Sequence, residues 1–177
     1  MPLWKILCLF PPGIACICLL SGCTTLTISK PFAWPGLNTL QGRQSESAHS
    51  TVVLAITHAE LIASRRGMFD AAADRVLELL PHQPGLVGYS VRTRLMGHEV
   101  WTATVWADES AMQKFVRSQP HRAAVKDGSA ALKVVQYHRV VLPVSELPLD
   151  WSRVLAELAN APPAMPVDNA HVGQGNL

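Results

Sequence analysis

Three side chains offer acid–base or hydrogen-bonding chemistry: His58, Tyr137 and Trp106. Histidine titrates near neutral pH and suits proton transfer. A tyrosine hydroxyl and an indole N–H are donors that can hold a bound anion. The three lie far apart in the chain, so only the fold can join them. They are expected to line one pocket as catalytic or polar groups. Each also has a packing role open to it: His58 as a hydrogen-bonded histidine near a strand end, Tyr137 and Trp106 as buried ring area. Tyr89 is a further hydroxyl donor, and His121 reads as a helix-start residue. His138 would approach His58 if the last strand pairs with the first. The spacing of a metal motif is absent, as are G-x-S-x-G and a glycine-rich phosphate loop.

A different chemistry belongs to Cys23. All four cysteines, Cys8, Cys16, Cys18 and Cys23, fall within the first 23 residues. An apolar run from Ile6 to Leu20 follows Lys5 and ends in Leu20-Ser21-Gly22-Cys23. Pro11, Pro12 and Gly13 interrupt it, which a spanning helix does not tolerate well. The segment resembles the signal peptide and lipobox of bacterial lipoproteins. That resemblance implies removal of residues 1–22, acylation of Cys23 and a lipid bilayer as partner. It places the protein in the bacterial cell envelope. Thr24, where an aspartate would retain the protein, points to the outer membrane facing the periplasm. The processed chain keeps no free thiol, so no disulfide or cysteine nucleophile supports its fold or activity.

The formal net charge is +2. Removal of the leader takes Lys5 with it, and no lysine- or arginine-rich run stands out. Nucleic acid is therefore not an expected partner. Residues 23–50, rich in Ser, Thr, Gly, Gln and Pro, read as a lipidated tether. Residues 51–142 carry the periodic apolar pattern of one domain. Residues 143–160 read as a helical extension and 161–177 as a disordered tail.

Within the domain, Thr51 to Leu61 reads as a strand with Val52, Leu54, Ile56 and His58 on one face. Phe69 to Leu80 has helical spacing, and Pro81 stops it. Pro84-Gly85 makes a turn. Leu86 to Arg94 alternates, with Val87, Tyr89, Val91 and Thr93 facing one way. Gly97 turns the chain into Glu99 to Trp106, where Trp101 and Trp106 face opposite sides. Asp108 caps a helix. Ser118 and Pro120 restart a turn that Gly128 ends, and Lys133 to Leu142 is the last strand. Asp150 caps a short helix to Asn160 that must dock on its own domain or on a partner.

This βαββαβ order predicts a ferredoxin-like α+β sandwich with helices on one face of an antiparallel sheet. The other face also carries apolar side chains and needs a cover. A second copy would supply it, giving a dimeric α/β barrel and a homodimer.

Pro84-Gly85-Leu86-Val87-Gly88-Tyr89 resembles the loop into the second strand of the antibiotic biosynthesis monooxygenase superfamily. Thr104-Val105-Trp106, Asp108-Glu109-Ser110-Ala111, Phe115-Val116-Arg117-Ser118 and His121-Arg122-Ala123-Ala124 resemble its third strand and the helix after it. The resemblance covers about Val52 to Val141, half the chain. It implies a cofactor-free oxygenase acting on a small aromatic or quinone-like substrate, or a heme-degrading one. The heme-degrading pattern's axial histidine falls at Val125, its tryptophan at Phe115 and its asparagine near His58. The chain departs from it at all three, so no cofactor is expected, and heme only if another histidine ligates it. The alternative is a non-catalytic lipoprotein that binds a hydrophobic ligand or an envelope partner.

Overall fold

Strand parity sets the architecture. The computed structural model describes residues 26–43, 50–95 and 97–167. Its elements are β1 (Thr27–Ser29), α1 (Leu37–Arg43), β2 (Thr51–Leu61), α2 (Arg66–Leu79), β3 (Leu86–Arg94), β4 (Glu99–Trp106), α3 (Glu109–Val116), α4 (Gln119–Gly128), β5 (Leu132–Pro143), α5 (Trp151–Ala159) and β6 (Met165–Pro166). One antiparallel sheet runs β1-β3-β4-β2-β5-β6. Its four long strands and the helices between them form the expected ferredoxin-like α+β fold. Cys8, Cys16, Cys18 and Cys23 lie outside the described residues.

β2 is central, pairing with β4 on one side and β5 on the other. Both its faces are buried: Val52, Leu54 and Ile56 on one, Val53, Ala59 and Leu61 on the other. Helices α2, α3 and α4 cover the second, the helix face. Asp108 caps α3 as expected, accepting from the Ala111 amide at 2.8 Å. Ser118 caps α4 through the His121 amide. Gly85 takes a φ of 81° at the turn into β3, a conformation that suits glycine. A bulge lies just beyond it, between Leu86 and Gly88. It turns Val87 to the face opposite Tyr89, correcting the simple alternation expected there.

The other face is covered by the chain itself. Val52, Leu54, Ile56, Trp101, Val105 and Leu142 pack under Trp151, Val154 and Leu158 of α5 and under Phe32, Trp34, Leu37 and Leu40. We call these two segments the strap. Phe32 stacks on Trp34 with centroids 5.1 Å apart and lies 5.9 Å from Trp151. The buried Ser90 hydroxyl donates to the Lys30 carbonyl at 2.6 Å and accepts from the Trp151 indole N–H at 2.9 Å. One hydroxyl thus joins both strap segments to β3. Asp150 caps α5, and the Ser152 hydroxyl and then the Arg153 amide hold its carboxyl below the usual range.

Two expectations are corrected here. Residues 26–43 are not a free tether, because β1 pairs with β3 and the Phe32 and Trp34 rings anchor the chain after it. Residues 161–167 are not a disordered tail, because Met165 and Pro166 pair with β5 and the Val167 amide donates to the Lys133 carbonyl. The bare face that would need a second subunit is also not found, since the strap lies on it.

Candidate functional site

His58, Tyr137 and Trp106 do not converge. His58 belongs to the strap face with Ile56. Its ring stacks parallel on Trp101 at 4.7 Å, and its Nε2 lies 3.1 Å from Glu99 Oε1. Glu99 also pairs with Arg94, and the Arg92 and Arg94 guanidiniums lie 5.7 and 5.9 Å from the Trp101 ring. His138 shares this face, as expected from the pairing of β5 with β2, and lies 3.8 Å from Glu157. Among the described residues no group of His, Cys, Asp and Glu is placed to hold a metal.

Tyr137 lies on the opposite face, directly across from Thr57. Partial burial raises its phenol above the ordinary value, which keeps the hydroxyl a donor. Trp106, on the same face, is 1% exposed. Its indole N–H donates to Thr104 Oγ1 at 2.9 Å, and its ring stacks on Phe115 at 5.2 Å. It packs the core and has no surface left for a ligand.

On the helix face the apolar packing is interrupted. Apolar packing there forms two separate clusters. One joins Val53, Leu80, Leu86, Trp106 and Met112; the other joins Ala59, Leu61 and Val100. Between them Ala55, Thr57, Thr102, Thr104 and Tyr89 stay half-buried, although β2 and β4 are interior strands. Register sets Tyr137, Thr57 and Thr102 side by side across β5, β2 and β4. Sequence reasoning misses the threonines at Thr57, Thr102 and Thr104. Their signal is hydroxyl residues at alternate positions among Val and Ala.

His121 begins α4 beside this face. Its ring lies 4.8 Å from Phe115, so aromatic contacts run from Trp106 through Phe115 to His121. Nδ1 lies 3.0 Å from the Val116 carbonyl, which favours a proton on Nδ1 and a lone pair on Nε2. Burial lowers its pKa, against the opposing pull of that carbonyl. The imidazole is therefore neutral at pH 7.

The heme-degrading residue pattern is not present here. Val125 has no lone pair, and Phe115 is held between Trp106 and His121. A separate open cleft of about 250 Å³ lies between α1 and the turn before β3, lined by Pro35, Gly36, Pro81, His82, Gly85 and Ala107 among others. His82 is its one titratable side chain, and the hydroxyl row lies elsewhere.

A ferredoxin-like antiparallel sheet with helices on one face defines the class of domain. Residues 55–127, less than half of the chain, match the family model of antibiotic biosynthesis monooxygenase. No curated protein matches the sequence. Among solved structures, a Pseudomonas aeruginosa protein is 13% identical, with 53% of this chain and 96% of that one covered and a TM-score of 0.48. A Nitrosomonas europaea protein of unknown function is 16% identical, with 58% and 100% covered and a TM-score of 0.47. A provisionally assigned monooxygenase from Lactobacillus acidophilus is 14% identical, with 52% of this chain covered and a TM-score of 0.45; this chain spans about half of its length, 47%.

Proposed function

We propose that this chain is a lipid-anchored envelope protein whose domain binds a small aromatic or quinone-like molecule between helices and sheet and oxidises it with O2, without a cofactor. The observation that carries the reading is the row Tyr137, Thr57 and Thr102. Thr57 and Thr102 are half-buried and Tyr137 is 44% exposed beside them, and none of the three has a side-chain hydrogen bond to another described residue. A packed core would have filled that row with Val and Ile. Hydroxyl donors flanked by apolar clusters suit a ligand with a flat ring and a phenolic oxygen. His121 Nε2 is the group proposed to take the phenolic proton. The resulting electron-rich anion then reacts with O2 itself, held by the neighbouring hydroxyls.

Anchoring rests on Leu20-Ser21-Gly22-Cys23 and the outer-membrane assignment on Thr24. A binding-only protein is the second reading, favoured because His58 stands on the opposite face from Tyr137. The test is oxygen consumption by the purified chain with a panel of quinols and anthrols, alongside ligand-induced thermal stabilisation. Uptake that falls at least tenfold in His121→Phe supports the oxygenase. Stabilisation that weakens in Tyr137→Phe, with no uptake, supports binding alone. Neither response would sink both readings.

A further inference from the structure

We propose that the domain lies directly on the bilayer through the edge made by β1 and Leu95 at the end of β3. The inference rests on the anchoring of Cys23 proposed above and adds the orientation of the folded domain.

The first argument is chain length. The Leu95 amide donates to the Leu26 carbonyl at 2.8 Å, and Thr27, Ile28 and Ser29 pair with Arg94, Thr93 and Arg92. The chain is thus fixed to the domain three residues after Cys23. Three extended residues span about 10 Å. An acyl group on Cys23 therefore holds this edge within about that distance of the headgroups.

The second argument is what the edge exposes. Leu26, Ile28 and Leu95 are 60%, 45% and 49% exposed. Alternation and pairing put all three on one side of the sheet. Met68, 50% exposed, follows Arg66, whose guanidinium donates to Thr93 Oγ1 at 2.9 Å beside Ile28. Half of the eight large apolar side chains exposed among the described residues gather here.

The third is charge. Arg65, Arg66, Arg92, Arg94 and Lys133 stand at this end against Glu60, Asp70 and Glu99. Arg92 has no acidic partner among the described residues; its guanidinium lies 5.7 Å from the Trp101 ring. Apolar tips rimmed by arginine suit the headgroup boundary of an anionic membrane. The tie to Cys23 favours lipid over a protein as the occupant.

The test uses the full-length chain, processed in cells and reconstituted into vesicles of phosphatidylethanolamine and phosphatidylglycerol. Processing leaves no other free thiol, so Leu95→Cys and Ser145→Cys each take one fluorophore. Ser145 lies at the opposite end of the strands, just beyond β5. Brominated lipid is expected to quench the Leu95 label several-fold more than the Ser145 label. Adding Leu26→Ser and Ile28→Ser is expected to abolish the difference. Equal or weak quenching at both sites overturns the proposal. So does self-quenching of the Leu95 label without lipid quenching, which would assign the edge to a second copy. Mass analysis of the same sample reads Cys23 separately. An unlipidated Cys23 refutes the anchoring reading, while quenching at Leu95 still decides whether this edge meets lipid.

Discussion

At the scale of single residues, His121 has its protonation set by the fold. Burial lowers its pKa below the ordinary 6.5. The unfolded chain therefore binds this proton at a higher pH than the folded one does. Its contribution to stability is fully present above pH 6.5 and is lost as pH falls through the folded value. Urea midpoints measured from pH 7.5 down to 5 should decline, and His121→Phe should flatten the decline; an unchanged slope would remove His121 as its source. Ser90 makes a second case. Its buried hydroxyl serves the Lys30 carbonyl and the Trp151 indole, and Ser90→Ala leaves those two groups only their direct hydrogen bond to each other at 3.2 Å. The expected cost is about 0.5–1.5 kcal/mol in urea unfolding, and a loss near zero would show that the direct Trp151–Lys30 bond suffices. Residue types alone do not reveal these roles. His58 stands out in the sequence because it lies late in an apolar strand. β2 is buried on both faces, so its pattern carries no sign of which face the helices take. The hydroxyl row is half legible: Tyr137 stands out, while Thr57 and Thr102 read as ordinary strand residues.

At the scale of elements, strands and caps are legible because each depends on near neighbours. β2, β3 and β4 fall on the expected residues, and Asp108, Ser118 and Asp150 cap the helices they precede. The helix expected from Phe69 begins one turn earlier, where Arg66 pairs with Asp70. The strap is only half legible. α5 shows an apolar stripe, but residues 26–43 hide four anchors, Phe32, Trp34, Leu37 and Leu40, among Pro, Gly and Thr. Nothing in their own spacing says that they dock. Gly88 makes room for one of them, since a Cβ there would collide with the Trp34 ring. Val154 lies at the centre of α5 packing and is 0% exposed. Val154→Asp buries an unpaired charge and should cost about 3–5 kcal/mol. Urea unfolding measures the loss, and binding of a hydrophobic dye should rise as the strap lifts. A variant that stays as stable as the parent would mean that α5 is not held as described.

At the scale of the whole molecule, the strap bears on association. An apolar sheet face left bare would give a reason to pair. Here Val52, Leu54, Ile56, Val105 and Leu142 are covered by segments of the same chain. A second copy can reach them only by displacing α5 and residues 26–43, giving up the Ser90 network and the Phe32, Trp34 and Trp151 packing. The strap leaves the sheet face beneath it no need of a partner. We therefore expect the detergent-solubilised chain to sediment as a monomer at micromolar concentration. A chain ending at Pro143 lacks α5 and should self-associate or precipitate, because the face it uncovers is almost wholly apolar. Sedimentation equilibrium on both chains decides the matter. An intact chain that sediments as a dimer would sink the expectation. If Val154→Asp then left that dimer unchanged, the contact would have to lie away from the strap face.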